Sequence, residues 1–126
     1  MGRRRSDGEA PLSVGVYHIL LALARGERHG YGIMREVEAL SDGVTRLGPG
    51  TLYRTLREML DAGLIVESGE RPDPAHDDER RRYYALTEAG RRAALAETRR
   101  LARLVEAARA TPGLGFGGAP DVAGGR

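Results

Sequence analysis

Three observations predict a mainly α-helical chain with a small β-hairpin and a long closing helix. Residues Gly50 to Ile65, GTLYRTLREMLDAGLI, read as a short amphipathic helix that stops at a glycine and runs into a strand. Leu52, Leu56, Met59 and Leu60 recur at i, i+4, i+7 and i+8, while Arg54, Arg57, Glu58 and Asp61 take the opposite arc, so only one face can be core. From Thr87 to Ala110 the positions Ala94, Thr98, Leu101, Val105 and Ala108 step by 4, 3, 4 and 3, a coiled-coil-like seam widened by Leu95, Ala102 and Leu104. Pro11 to Ala24 is apolar around most of its circumference, with Leu12, Val16, Ile19, Leu20 and Leu23 on one side and Val14, Tyr17 and Leu21 beside them. A helix this apolar needs burial on two sides. One side can face the chain's own core, and a partner subunit covers the other most economically.

The remaining elements follow in order. Met1 to Ala10 is polar and arginine-led, and is expected to be a flexible tail. Arg25 to Gly30 reads as a polar turn, and Tyr31 to Leu40 as a helix with Ile33, Val37 and Leu40 facing inward. Asp42, Gly43 and Gly48 mark the connection into the third helix. Pro49 suits the first turn of that helix, where a missing N–H costs nothing, and Gly63 suits the left-handed position just past its end. Val66 to Ser68 and Arg82 to Leu86 are the candidate strands. The polar segment Gly69 to Arg81 between them, with Pro72 and Pro74, reads as a mobile tip. Thr87 is placed to N-cap the last helix, and Glu88 adds charge favourable to its dipole. Thr111 to Arg126 is Gly- and Pro-rich and is expected to be disordered.

Composition narrows the function classes. At 126 residues the chain is long enough for one modest core and too short for two. It has no cysteine, which excludes disulfides and thiolate metal sites and makes the cytoplasm the default compartment. Its three histidines are scattered over three segments with no i, i+4 pair, so no metal or other cofactor is expected. No apolar run approaches the roughly 20 residues that span a bilayer, so no membrane partner is expected. All 20 basic residues are arginines, yet the formal net charge is only +2, so net charge by itself says little about partners. An enzyme finds little support: no Gly-rich phosphate loop follows a strand, no Gly-x-Ser-x-Gly elbow exists, and the carboxylates cluster in a loop that nothing predicts to be a cleft.

Helix, tight turn and strand, with an arginine-bearing face left to solvent, is the arrangement of a recognition helix feeding a β-wing. Three linked motifs extend the pattern: His29-Gly30-Tyr31-Gly32-Ile33, then Gly50-Thr51-Leu52-Tyr53 through Leu64-Ile65, then Tyr83-Tyr84-Ala85-Leu86-Thr87-Glu88-Ala89-Gly90. In this order and spacing, over about Leu12 to Ala110, they resemble the PadR family of winged helix-turn-helix transcriptional regulators, in the branch with a small C-terminal domain. The resemblance implies a DNA-binding domain over 11–86 and a dimerisation helix over 87–110. It further implies a homodimer on an inverted-repeat operator in double-stranded DNA, acting as a repressor, with a small apolar effector between the first and last helices as a further expectation.

The exposed face of the third helix offers Thr51, Tyr53, Arg54 and Arg57 for DNA contact, and the resemblance adds Arg80, Arg81 and Arg82 at the base of the wing. It assigns the dimer interface to Val14, Tyr17, Leu21, Ala94, Leu101, Val105 and Ala108. Two departures matter. Arg54 stands where the family commonly has proline after Leu-Tyr, adding a cation to the exposed face. Asp73, Asp77, Asp78 and Glu79 place acidic groups at the wing tip, where they oppose phosphate, so the tip carries no assignment. The rival readings are plain: Arg54 and Arg57 as surface cations paired with Glu58 and Asp61, Tyr53 as packing with an exposed hydroxyl, or a winged module that docks protein rather than DNA.

Overall fold

The computed structural model describes the backbone of residues 11–73 and 76–114 and, among these, the side chains of all but 72–80. The tail expected over 1–10 and all but the first four residues of that expected over 111–126 lie outside the described residues. Four helices and a three-stranded antiparallel sheet are arranged in the order α1 (Val14–Ala24), β1 (Arg28–His29), α2 (Gly30–Leu40), α3 (Pro49–Asp61), β2 (Ile65–Asp73), β3 (His76–Leu86) and α4 (Glu88–Arg109). The chain is therefore mainly helical, as predicted.

The local signals act where the sequence places them. Ser13 caps α1 by accepting from the Val16 N–H at 3.1 Å, so α1 starts three residues later than Pro11 suggested. Pro49 occupies the first turn of α3, and Gly63 takes φ 78° just past its end. Thr87 caps α4.

Two expectations are corrected. The turn after α1 contains a short strand: Arg28 pairs with Tyr84 and His29 with Tyr83, so β3 is the central strand of a sheet ordered β1-β3-β2. The wing is also longer than expected. The polar segment taken as a loop is mostly ladder, with Glu70 opposite Arg82, Arg71 opposite Arg81 and Pro72 opposite Arg80. Apolar alternation is a signal of burial, and these strands extend beyond the core, where ladder hydrogen bonds do not require it. The tip itself, 74–75, lies outside the described residues.

The core joins all layers. Ile19, Leu20 and Leu23 of α1 meet Ile33 and Val37 of α2, Leu52, Leu56 and Met59 of α3, Ile65 and Tyr84 of the sheet, and Ala93 and Ala94 of α4. The face of α1 carrying Val14, Tyr17 and Leu21 stays outside it: Val14 is exposed, and the other two are half-buried.

α4 is held at its first turn by one dense contact. The Thr87 hydroxyl accepts from the Gly90 N–H at 3.0 Å and donates to the Gly63 carbonyl at 2.6 Å, while the Thr87 N–H donates to the Leu64 carbonyl at 3.1 Å. Gly90 lies so close behind that a Cβ there would overlap the Leu64 carbonyl oxygen. Two turns further on, Glu97 is only 2% exposed. Arg100 donates two hydrogen bonds to its carboxylate at 2.9 and 2.6 Å, and the Leu12 backbone N–H lies close enough to favour the charged form. The buried charge thus ties the segment before α1 to α4, satisfied as a buried ion must be.

Gly90→Ala is expected to destabilise the fold. Overpacking against backbone costs about 1–3 kcal/mol or more, which outweighs the gain of up to about 1 kcal/mol in helix propensity. A denaturant titration showing a net loss near 2 kcal/mol would agree, and a gain would contradict the close approach.

A second prediction concerns acid. Hydrogen bonding to Arg100 holds the Glu97 carboxyl below its ordinary value, against an opposing effect of desolvation. A depressed carboxylate contributes stability above its unfolded pKa, near 4.3, and loses it as pH falls through the folded value. Glu97→Gln is therefore expected to lower the melting temperature at neutral pH, with the difference from wild type shrinking below about pH 4. A difference that grows in acid would refute the pairing as the source.

Candidate nucleic-acid interface

The outer face of α3 is built by the periodicity that buries its inner one. Leu52, Thr55, Leu56 and Met59 point inward, and Thr51, Tyr53, Arg54, Arg57 and Glu58 are exposed. Gly48 caps α3 without a side-chain hydrogen bond and Pro49 has no N–H, so no side chain covers the first turn beside Thr51. Neither Arg54 nor Arg57 takes part in an ion pair or hydrogen bond among the described residues, and no pair with Glu58 or Asp61 forms there. Tyr53 is half exposed, with its hydroxyl lying over Gly30 at the start of α2, where a Cβ would overlap it. It spans both readings given to it, packing and an open ring face.

The wing arginines do not act as a block. Side chains alternate along a strand, and the register sends neighbours to opposite faces. Arg82 lies opposite Glu70, and Tyr84 opposite Glu67, on the face turned to α3. There the Arg82 guanidinium approaches Glu67 at 3.4 Å and Glu70 at 3.7 Å. Arg81 shares the other face with Arg71 and Tyr83. It turns back on α2, with a guanidinium nitrogen 3.1 Å from His29 Nδ1 and the group 5.6 Å from the Tyr31 ring. Arg71 stacks 4.1 Å over Tyr83 and pairs with Glu27. The Arg80 side chain lies outside the described residues.

Thus α3 and Arg82 form one surface, and Arg81 is a buttress between the wing and α2. The fold also places Glu27, Glu67 and Glu70 among the wing cations. Sequence reading assigned them nothing, although alternation around the Glu67–Glu70 stretch would have put Glu67 beside Tyr84 had the ladder been recognised. His29 was read only as part of a motif. Its Nδ1 accepts from the Gly32 N–H at 3.0 Å, capping α2, and its ring meets Tyr83 edge-on at 5.2 Å.

The residues assigned to an interface between subunits divide. Ala94 belongs to the chain's own core. The Tyr17 hydroxyl is hydrogen-bonded to Thr98 of the same chain at 2.6 Å. Leu21, Leu101 and Ala108 are half-buried, and Val14 and Val105 are exposed. Among the described residues no helix is long and apolar enough to cross a membrane, and no group of three or more His, Asp or Glu is placed to hold a metal ion.

Residues 19–96 match the transcriptional regulator PadR-like family, well over half of the chain. The chain belongs to that family. It is 42% identical over 83 residues to the transcriptional regulator Rv3488 of Mycobacterium tuberculosis, an alignment covering 66% of this chain and 70% of that one. It is 40% identical over 86 residues to a 37.1 kDa protein in transposon TN4556 of Streptomyces fradiae, covering 68% of this chain but only 22% of that much longer protein. Its fold is similar to Bacillus subtilis PadR in complex with operator DNA, with a TM-score of 0.57 at 23% identity over 66% of this chain and 45% of that one. The winged arrangement is shared, and the members of this PadR-like family are transcriptional regulators rather than enzymes.

Proposed function

We propose that this PadR-like regulator binds double-stranded operator DNA as a homodimer and acts as a repressor, with α3 in the major groove and the wing along the adjacent backbone. The observation that carries this reading is the pair Arg54 and Arg57, exposed and without counter-ions among the described residues, on the outer face of a helix whose inner face is committed to the core. Unpaired guanidiniums present the donors that phosphate and guanine edges accept. The solved complex of Bacillus subtilis PadR with operator DNA supports the same use of the fold. A protein-docking face would be expected to expose aromatic or aliphatic anchors, and α3 exposes arginines with the half-open ring of Tyr53 as its one such group.

Dimerisation is supported by the apolar side chains the chain leaves uncovered. Leu95, Leu104 and Val105 on α4 and Val14 on α1 are all more than 40% exposed. With half-buried Leu101 and Leu21 they are the side chains from which the second apolar surface expected of these helices would be built. A second copy would bury it, and two-fold symmetry then implies an inverted-repeat operator with half-sites about 34 Å apart. In the same reading a small apolar effector would enter at the α1–α4 crossing, beside Tyr17 and Thr98.

Arg57→Ala is expected to leave circular dichroism unchanged and to weaken operator binding by about 1–3 kcal/mol if the arginine reads a base edge. If it touches only phosphate, affinity for all duplexes would fall alike, with the salt slope smaller by about 1. Unchanged binding in the Arg54, Arg57 double alanine variant would return both to ordinary surface cations. Leu101→Asp tests the assembly. A charge at a self-complementary apolar surface costs several kcal/mol, so the dimer and operator binding should be lost together. Sedimentation showing an intact dimer would remove Leu101 from the interface.

A further inference from the structure

α3 and the base of the wing do not close on one another. Between them lies a cleft of about 140 Å³, to which α3 contributes Tyr53 and Arg57 and the wing contributes Glu67, Arg82 and Tyr84. The polar groups around it are unevenly satisfied. Tyr84 is only 4% exposed, yet its hydroxyl has no hydrogen-bond partner among the described residues. Burial, and then the Glu67 carboxylate, hold its pKa above the ordinary value, so it stays a neutral O–H donor. Arg57 has no counter-ion among the described residues. Arg82 has two, but at 3.4 and 3.7 Å both are long beside the roughly 2.7–2.9 Å of a well-formed charged hydrogen bond. A buried, unpartnered donor between two guanidiniums is a group waiting for an anionic acceptor.

We propose that this cleft seats one backbone phosphate of the bound duplex, with the Tyr84 hydroxyl, Arg57 and Arg82 as donors, and that Glu67 is an internal competitor holding Arg82 in the free protein. The proposal rests on the duplex-binding reading above. A phosphodiester carries one negative charge and two accepting oxygens, which suits one O–H and two guanidiniums. Glu67 opposes it, since a carboxylate beside a phosphate is repulsive. Arg82 must exchange one anion for the other, so binding at this seat gives back part of the attraction. That exchange lowers affinity for every duplex alike, because non-specific binding is phosphate neutralisation. The consequence is weaker binding to random sequence, where phosphate contacts are nearly all there is, while the ratio of operator to random binding is left to the base contacts of α3.

The experiment measures binding of the full-length chain to a fluorescent duplex of random sequence across a salt series, with thermal melting alongside. Tyr84→Phe removes only the hydroxyl. Its melting temperature should be unchanged or raised, while duplex affinity falls about 3- to 10-fold. Glu67→Gln should bind tighter, with a salt slope steeper by about 1. Adding Arg82→Ala to Glu67→Gln should abolish that gain. Tyr84→Phe binding like wild type, or a Glu67→Gln gain that survives loss of Arg82, would overturn the phosphate seat while leaving the DNA-binding reading intact. Wild-type protein that binds no duplex at low salt would overturn both.

Discussion

The structure depends on the contact between the first turn of α4 and the turn that joins α3 to β2. Thr87 satisfies three backbone groups there at once, and Gly90 lets the helix backbone come within touching distance of the Leu64 carbonyl. Because Leu64 directly precedes β2 and Thr87 directly follows β3, this contact determines where the hairpin begins and ends relative to the helix beside it. The start of the wing is therefore placed relative to the end of α3 by backbone contacts and the Thr87 hydroxyl. In the proposed reading α3 and the wing meet one rigid duplex, and such a joint keeps the contacts of both in place.

The second organising constraint is electrostatic. Strand alternation divides the consecutive arginines of β3 between two surfaces, and each surface is answered by different partners. Arg81 is spent on His29 and Tyr31, which binds the wing to the start of α2. Arg82 faces α3 with Glu67 and Glu70 nearby. The cationic surface formed by α3 and the wing base is consequently moderate, in keeping with a net charge of only +2. Affinity built this way leans less on bulk attraction to phosphate and more on the geometry of a few groups.

α4 has two halves with different obligations. Gly90, Ala93, Ala94 and Glu97 form its buried stripe over the first turns and anchor it to the body. Past Leu101 its side chains are mostly exposed, and the stripe of Leu104 and Val105 meets no other part of the chain's core. The seam read from the sequence is continuous, but the first turns of it are taken by the chain itself, as Ala94 and the Tyr17–Thr98 hydrogen bond show.

Sequence alone was enough for whatever depends on local periodicity and caps. The inner face of α3, the core residues Ile33 and Val37, the left-handed Gly63 and the Thr87 cap were all legible, because each is decided by neighbours within a turn or two. The exposed arginines of α3 were legible for the same reason. What only the tertiary structure decided involves partners distant along the chain. The strand at Arg28–His29 exists because β3 offers an unpaired edge, and two residues carry no periodicity to read. The polar wing strands are held by ladder bonds to which hydropathy is blind. Glu97 looked like any surface carboxylate until Arg100 and the Leu12 N–H closed around it. Likewise Arg80, Arg81 and Arg82 read as one basic run. The division of Arg81 from Arg82 follows from strand register, and register is settled by a pairing that no local stretch contains.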